Sequence, residues 1–274
     1  MYVMKRYSGF LLLFLIVFLT ISCKRNFQYS VLEVRPLAKN LNAKALEQIR
    51  QLPQKDTFSF LVISDTQIAY DELQRFVKHA NKLDDRDQIA FVLHGGDFTD
   101  YGANFEYNLY YDDIKKLKLP VVGVIGNHDM LGNGREIYAQ MFGPENFSFI
   151  YGKNKFIFFN SNSREVAFDG SVPDLGWIEK EIKNTTADVE NLFFISHVAP
   201  FVYDFDQTKT EDLARMLSSS TKSRLSIHGH THSYQLEKPF EDQFPYLTVP
   251  TLQKRSYVKI TVQGQTITHQ QINY

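Results

Sequence analysis

From residue 57 onward the chain alternates short apolar runs with stretches whose apolar positions recur every three or four residues. A run of four to eight apolar residues reads as a buried strand, and the longer spacing reads as an amphipathic helix. On this basis residues 58–63, 88–93 and 121–125 are predicted strands. Residues 71–83 and 104–117 are predicted helices between them, the second with Leu109, Ile114 and Leu117 near one face. Strands about 30 residues apart with intervening helices are what βαβ units require. Further on, 135–142 is a predicted helix. Segments 147–151 and 155–160 form a hairpin turning at Gly152-Lys153-Asn154, 174–183 is a helix carrying Trp177, and 192–195 is a strand. A helix over 211–217 and a strand over 224–227 follow. After Ser233 helical spacing disappears and strands are expected at 234–237, 246–249, 256–262 and 265–272. A β/α half followed by a β-rich half predicts two packed sheets with helices outside, a four-layer α/β/β/α sandwich of two mixed sheets in the α/β class.

The N-terminal stretch has a different character. Lys5 and Arg6 precede an almost wholly apolar run over residues 10–21, with Ser22 and the sole cysteine, Cys23, directly after it. The run is short for a bilayer span, which takes about 20 residues, and has the length of a signal-peptide core. It resembles a bacterial lipoprotein signal, implying cleavage before Cys23 and lipid on its thiol. Thr20 stands where an aliphatic residue is more usual. An uncleaved anchor and a soluble secreted protein are the alternatives. The resulting division is a signal at 1–22, a tether with a short helix at 23–56, and one large domain at 57–274. The expected location is the cell envelope, facing periplasm or exterior and bound to the lipid membrane through Cys23. The helix rests on Leu41, Ala45, Leu46, Ile49 and Leu52 at helical spacing, closed by Pro53. A net charge of −1 gives no reason to expect a nucleic-acid groove, and the single cysteine leaves no internal disulfide.

Polar side chains cluster where the strand-like runs end: Ser64-Asp65-Thr66-Gln67, Gly95-Gly96-Asp97, Gly126-Asn127-His128-Asp129, Ser196-His197 and His228-Gly229-His230-Thr231-His232. Carboxylate, amide and imidazole donors without sulfur suit Mn, Fe or Zn. Strand ends can converge in one crevice although the chain spreads them far apart.

These five blocks, in this order and spacing, resemble the motifs of calcineurin-like metallophosphoesterases over residues 58 to about 262. Phe142-Gly143-Pro144 with Phe147-Ser148-Phe149 resembles a connecting segment of bacterial members. The resemblance implies two adjacent divalent or trivalent metal ions. Asp65, Gln67, Asp97 and His232 would hold the first, and Asp97, Asn127, His197 and His230 the second, with Asp97 as bridge. His128 would protonate the leaving group, with Asp129 orienting its ring, while metal-bridged hydroxide attacks a small-molecule phosphomonoester or phosphodiester. Gln67 departs from the pattern, which usually has histidine there. It is a direct ligand to a loosely held ion, a contact through water, or the mark of a degenerate site in a lipid-anchored binding protein.

Other chemistry-bearing residues are read more plainly. His228 and His94 are expected to be structural, His79 solvated and His269 exposed. Trp177 and Ile178 belong to the core. Asp100 and Tyr101 border the pocket or serve a loop, and Asp204, Phe205 and Asp206 either touch substrate or form an ordinary acidic loop. Loops over 131–146, 163–174 and 203–210 would set specificity.

Overall fold

The computed structural model describes residues 32–85 and 88–274. The expected signal, Cys23 and the first part of the tether lie outside the described residues. The elements are α1 (Leu41–Arg50), β1 (Thr57–Ile63), α2 (Tyr70–Ala80), β2 (Ile89–His94), α3 (Asn104–Ile114), β3 (Val121–Gly123), α4 (Gly134–Met141), β4 (Phe147–Tyr151), β5 (Asn154–Phe158), α5 (Leu175–Lys183), β6 (Asn191–Ile195), α6 (Thr210–Ser218), β7 (Ser223–His228), β8 (Gln235–Glu237), β9 (Tyr246–Thr248), β10 (Ser256–Gln263) and β11 (Thr266–Asn273). Short 3-10 turns lie between them.

Two mixed sheets result, as expected. One runs β11-β10-β1-β2-β3, with β1, β2 and β3 parallel and the C-terminal hairpin added antiparallel to β1. The other runs β4-β5-β6-β7-β9-β8, parallel in the middle and antiparallel at both edges. The period-2 alternation of a strand explains the layering. Phe58, Phe60 and Val62 of β1 point into the core between the sheets, whereas Leu61 and Ile63 point toward α2, α3 and α4. In β6, Phe193 and Ile195 face the same central core, and Leu192 and Phe194 face α5 and α6. The central core is aromatic: Phe60 stacks on Phe91 at 5.5 Å and meets Phe156 edge-on at 5.4 Å, and Phe156 stacks on Phe193 at 5.0 Å.

Several expectations change at this level. In α3 the buried face is Tyr107, Tyr110 and Ile114, while Leu109 is exposed, because the helix turns its aromatic residues inward. Strand β3 is shorter than its apolar run: the Val124 N–H still donates to the His94 carbonyl at 3.0 Å, and from Ile125 the chain enters the loop that carries Asn127. The short helix expected in the 23–56 segment is α1, and it packs on the large domain. Ala45 and Ile49 enter the central core, and the Asn42 side chain donates to the Gly123 carbonyl and accepts from the Gly123 N–H, both at 2.9 Å.

Candidate metal centre

β1, β2, β3, β6 and β7 all end at one crevice, and at that end the backbone bends sharply. Asp65, Asp97, His230 and His232 all have positive φ, between 54° and 69°. That left-handed region is sparsely used by non-glycine residues, though Asp and His tolerate it better than most, and such strain gathers at functional sites. Here it turns each side chain off the strand axis and into the crevice. Glycines leave room for the approach: a Cβ on Gly126 would lie 2.1 Å from Asp97 Oδ1, and one on Gly229 2.8 Å from Asp65 Oδ2.

The seven expected ligand residues come together. His197 Nε2 lies 3.2 Å from Asp97 Oδ2, 3.0 Å from Asn127 Oδ1 and 4.0 Å from Asp65 Oδ1. His232 Nε2 is 3.2 Å from Asp65 Oδ1, His230 Nδ1 is 3.1 Å from Asn127 Oδ1, and Gln67 Nε2 is 3.2 Å from Asp97 Oδ2. Among the described residues, Asp65, Asp97 and His197 form a cluster whose ligand atoms all lie within 4.8 Å of one another. The floor is buried, with Asp65 and His197 at 0% exposure and Asp97 at 1%. The His232 side chain stays 43% exposed at the mouth.

The donor chemistry of this cluster fits a cation. The His197 Nδ1–H donates to the Gly95 carbonyl at 2.7 Å, so its Nε2 lone pair faces Asn127 Oδ1 and Asp97 Oδ2. His230 donates from Nε2 to Asp204 Oδ2 at 3.0 Å, which turns its Nδ1 lone pair onto the same Asn127 oxygen. With both rings neutral, two imidazole lone pairs, an amide oxygen and a carboxylate oxygen therefore point at one small volume. Acceptors so arranged repel unless a proton or a metal ion lies among them. In addition, Gln67 Oε1 is buried with no hydrogen-bond partner, and such an orphaned acceptor costs free energy until something supplies positive charge. Asn127 ranks with Asp97 as a hub, contacting both histidines.

Without a metal the protons respond to the same crowding. Burial disfavours charge on His197, but the Asp97 and Asp65 carboxylates outweigh it and raise the imidazole to about 10. Burial pushes Asp65 up, yet the His232 hydrogen bond and the two imidazolium charges pull it below the usual carboxylate range. His230 is lowered, first by burial and then by the charge on His197. His232, at the mouth, is raised by its hydrogen bond to Asp65.

His128 and Asp129 occupy different places from those expected of a partnered pair. His128 lies at the crevice edge, its side chain 38% exposed. Its backbone N–H donates to Asp97 Oδ1 at 2.9 Å, and its Nδ1–H donates to the Asp100 carbonyl at 2.7 Å. The ring is thus held by Asp100, not by Asp129, and among the described residues its Nε2 makes no hydrogen bond. The Asp129 carboxylate is fully buried behind the site. It accepts from the backbone N–H groups of Asp97, Phe98 and Gly126 at 2.9 Å and of Thr99 at 3.1 Å, and from the Thr99 hydroxyl at 3.0 Å. Burial and the Asp97 charge raise it to about 7, while those donors pull the other way. Asp129 ties the β2 loop to the β3 loop.

The remaining histidines have structural partners. His94 is buried, donates toward Thr66 Oγ1 at 3.1 Å, accepts from the Gly96 N–H at 3.2 Å and stacks on Phe98. His228 sits between the Ser196 and Ser226 hydroxyls. Burial lowers both to about 3. His79 is not simply solvated: it bonds the Tyr257 hydroxyl at 3.2 Å and stacks on Tyr274. His269 is half-buried and bonds the Tyr234 hydroxyl at 2.7 Å. Trp177 packs against the core on the outer face of the second sheet.

Two residues at the crevice were not singled out as certain site members from sequence. Asp204, one of two open readings, joins the site through His230, and its Oδ1 takes a hydrogen bond from Arg164 at 2.8 Å. Arg164 was passed over because a lone arginine in a loop carries no pattern. Its only sequence cue is membership of the 163–174 loop.

Residues 58–234 match the model of the calcineurin-like phosphoesterase family. A probable glycerophosphodiester phosphodiesterase of Arcobacter nitrofigilis is 29% identical over 172 residues, a match covering 58% of this chain and 62% of that protein. The chain therefore spans less than two thirds of that relative. A dimetal phosphatase of Danio rerio superposes with a TM-score of 0.60 at 12% identity, covering 79% of this chain and 99% of the other. A purple acid phosphatase from yellow lupin (Lupinus luteus) seeds superposes with a TM-score of 0.62 at 13% identity, covering 80% of this chain and 52% of the other. At these identities the two structures speak to the fold.

Proposed function

This chain belongs to the calcineurin-like phosphoesterase family, and from that premise we propose that it hydrolyses phosphomonoesters or phosphodiesters at a centre of two metal ions. The observation that carries the reading is the convergence of the His197 and His230 imidazoles with Asn127 Oδ1 and Asp97 Oδ2 in one small volume. Asp65, Gln67, Asp97 and His232 would hold one ion, and Asp97, Asn127, His197 and His230 the other. Such ions supply positive charge for phosphate oxygens and make water nucleophilic at neutral pH.

The chain's own residues do the rest. Asp97 would serve both ions: its Oδ1 is fixed by the His128 N–H and its Oδ2 lies beside His197 and Gln67. An anionic oxygen pair there screens two cations from each other. His128 keeps Nδ1–H on the Asp100 carbonyl, so its Nε2 can carry a proton to the departing alkoxide. Because the His128 backbone is tied to Asp97, that nitrogen is registered to the centre. Buried Asp65 and His197 exclude bulk water from the floor.

Gln67 supports a second reading. Its amide N–H donates to Asp97 Oδ2, which favours a first position that is weakly held, as in a binding protein with a degenerate centre. Half a turn of the amide exchanges its atoms and gives the oxygen to a shared ion instead. We place the protein in the cell envelope, held to a membrane through lipid on Cys23. Release of a Cys23→Ala protein into the soluble fraction is the expected result. For the reaction, metal-stripped protein is titrated with manganese, and hydrolysis of p-nitrophenyl phosphate and of its bis-ester is followed alongside bound metal. Activity rising with metal content supports the hydrolase. No turnover of either ester at full metal content would overturn it in favour of the binding protein.

A further inference from the structure

Among the described residues ten large apolar side chains are exposed, and five of them, Ile68, Tyr101, Leu131, Phe168 and Tyr203, lie on loops that leave the site-facing ends of strands. Tyr203 is 87% exposed, Tyr101 67% and Ile68 62%. Four of them lie within three residues of a site residue: Ile68 after Gln67, Tyr101 after Asp100, Leu131 after His128, and Tyr203 before Asp204. Phe168 follows Arg164, and its N–H donates to the Ser163 carbonyl. Ile68 holds a positive φ of 53°, a real strain for a β-branched residue. Scattered exposed apolar residues need no explanation, but a group gathered around one concave site marks a contact surface.

The start of the described chain lies on the same face. The Leu32 carbonyl accepts from Asn133 Nδ2 at 3.1 Å, in the turn between Leu131 and α4, and Leu32 is itself exposed. Only ten residues separate Leu32 from the apolar run that ends at Ile21. Fully extended they reach about 35 Å, whereas a domain of this size is roughly 45 Å across. With lipid on Cys23, as proposed above, the tether is two residues shorter still, and leaving from the site face it keeps that face toward the membrane. The exposed Arg164 guanidinium and the Lys254 ammonium, which donates to the His232 carbonyl at 2.6 Å, flank the centre on that side. Aromatic and aliphatic side chains with basic neighbours are the composition that settles at a lipid interface.

We propose that this rim rests on a lipid surface, and that the esters reaching the centre are phosphate headgroups of amphiphiles presented from it. The substrate half of this proposal rests on the hydrolase reading above, and the contact half does not. The test uses the full chain with Cys23→Ser and one new cysteine, either Tyr203→Cys on the rim or Lys153→Cys in the exposed β4–β5 turn at the opposite end. Each is labelled with an environment-sensitive dye and mixed with phosphatidylcholine vesicles containing a quarter phosphatidylglycerol, with and without brominated acyl chains. A side chain seated about 5–10 Å into the interface meets the bromines. Strong quenching at position 203 and none at 153 is the expected result. Equal quenching at both, or none at 203, overturns the contact. Unlabelled wild-type protein is assayed in parallel on p-nitrophenyl esters and on a vesicle-embedded phosphate ester. Quenching at 203 without turnover of any ester would remove the hydrolase and leave the contact standing. Turnover of the p-nitrophenyl esters with none of the embedded one would remove the substrate class alone.

Discussion

Replacing Asp129 tests whether this carboxylate serves the ring of His128 or the loops behind it. In Asp129→Ala, four buried backbone N–H groups and the Thr99 hydroxyl lose their acceptor. An unmade buried hydrogen bond costs about 1–3 kcal/mol. Water entering the vacated space relieves part of this, so the low end for the four backbone groups, about 4 kcal/mol, is the working figure. That is a large share of the roughly 5–15 kcal/mol that holds a domain together. With a urea dependence of about 2–3 kcal/mol per M, the unfolding midpoint falls by about 1.3–2 M. Asp129→Asn keeps the oxygen that serves Phe98 and Thr99 but turns an NH2 toward the Asp97 and Gly126 N–H groups. It should lose about half as much. The assay is urea unfolding by tryptophan fluorescence and circular dichroism in chelator, which keeps metal loss out of the comparison. His128→Ala serves as the control and should leave the midpoint nearly unmoved. An Asp129→Ala protein that keeps its midpoint within about 0.3 M yet loses turnover would refute the argument and return Asp129 to the service of the ring.

Other outcomes follow from the same geometry. His128→Ala should lower turnover by about 10²–10⁴-fold, the usual worth of a placed proton donor, with bound metal unchanged by elemental analysis; metal loss would contradict its assignment. Gln67→His should tighten one of two metal-binding steps in calorimetry, and an effect confined to the other step would show that Gln67 is not in the first position. Metal-free protein should lose stability as pH rises from 6.5 toward about 10, because His197 is raised to about 10 in the fold and its charged form is what the fold favours. Metal-loaded protein holds His197 neutral and should lack this decline. Parallel melting-temperature profiles for the two forms would contradict that account. Asp204→Ala, which frees His230 Nε2, should weaken metal binding about 10–100-fold.

Much of the architecture could be read from pattern because burial on one or two faces imposes period 2 on strands and 3.6 on helices. The apolar run of β1 marked it as a buried strand, and the polar tips after β1, β2, β3, β6 and β7 named the crevice. The hidden parts depend on contacts with no local signature. Nothing in the sequence around Asp129 announces that four N–H groups from two loops will converge on it, and an acidic residue beside a histidine invites the simpler pairing. The apolar spacing of Leu41, Ala45, Leu46, Ile49 and Leu52 showed that α1 is a helix, but not that Ala45 and Ile49 enter the central core, since a short amphipathic helix does not name the surface it packs on. His79 and His269 meet Tyr257 and Tyr234, each distant in the chain, which no spacing rule anticipates.

The Asn42 contact has a consequence for how this protein behaves when concentrated. Strand β3 is the last of its sheet, and an uncovered last strand offers its backbone to any other chain as a template. The Asn42 amide gives Gly123 one donor and one acceptor at once, as a further strand would. The sheet is thereby closed to growth at that end, with the Tyr138 hydroxyl donating to the same Gly123 carbonyl at 2.9 Å. Shortening the protein to start after α1 would uncap it, and the shortened protein should stack into fibrillar aggregates that the intact one resists.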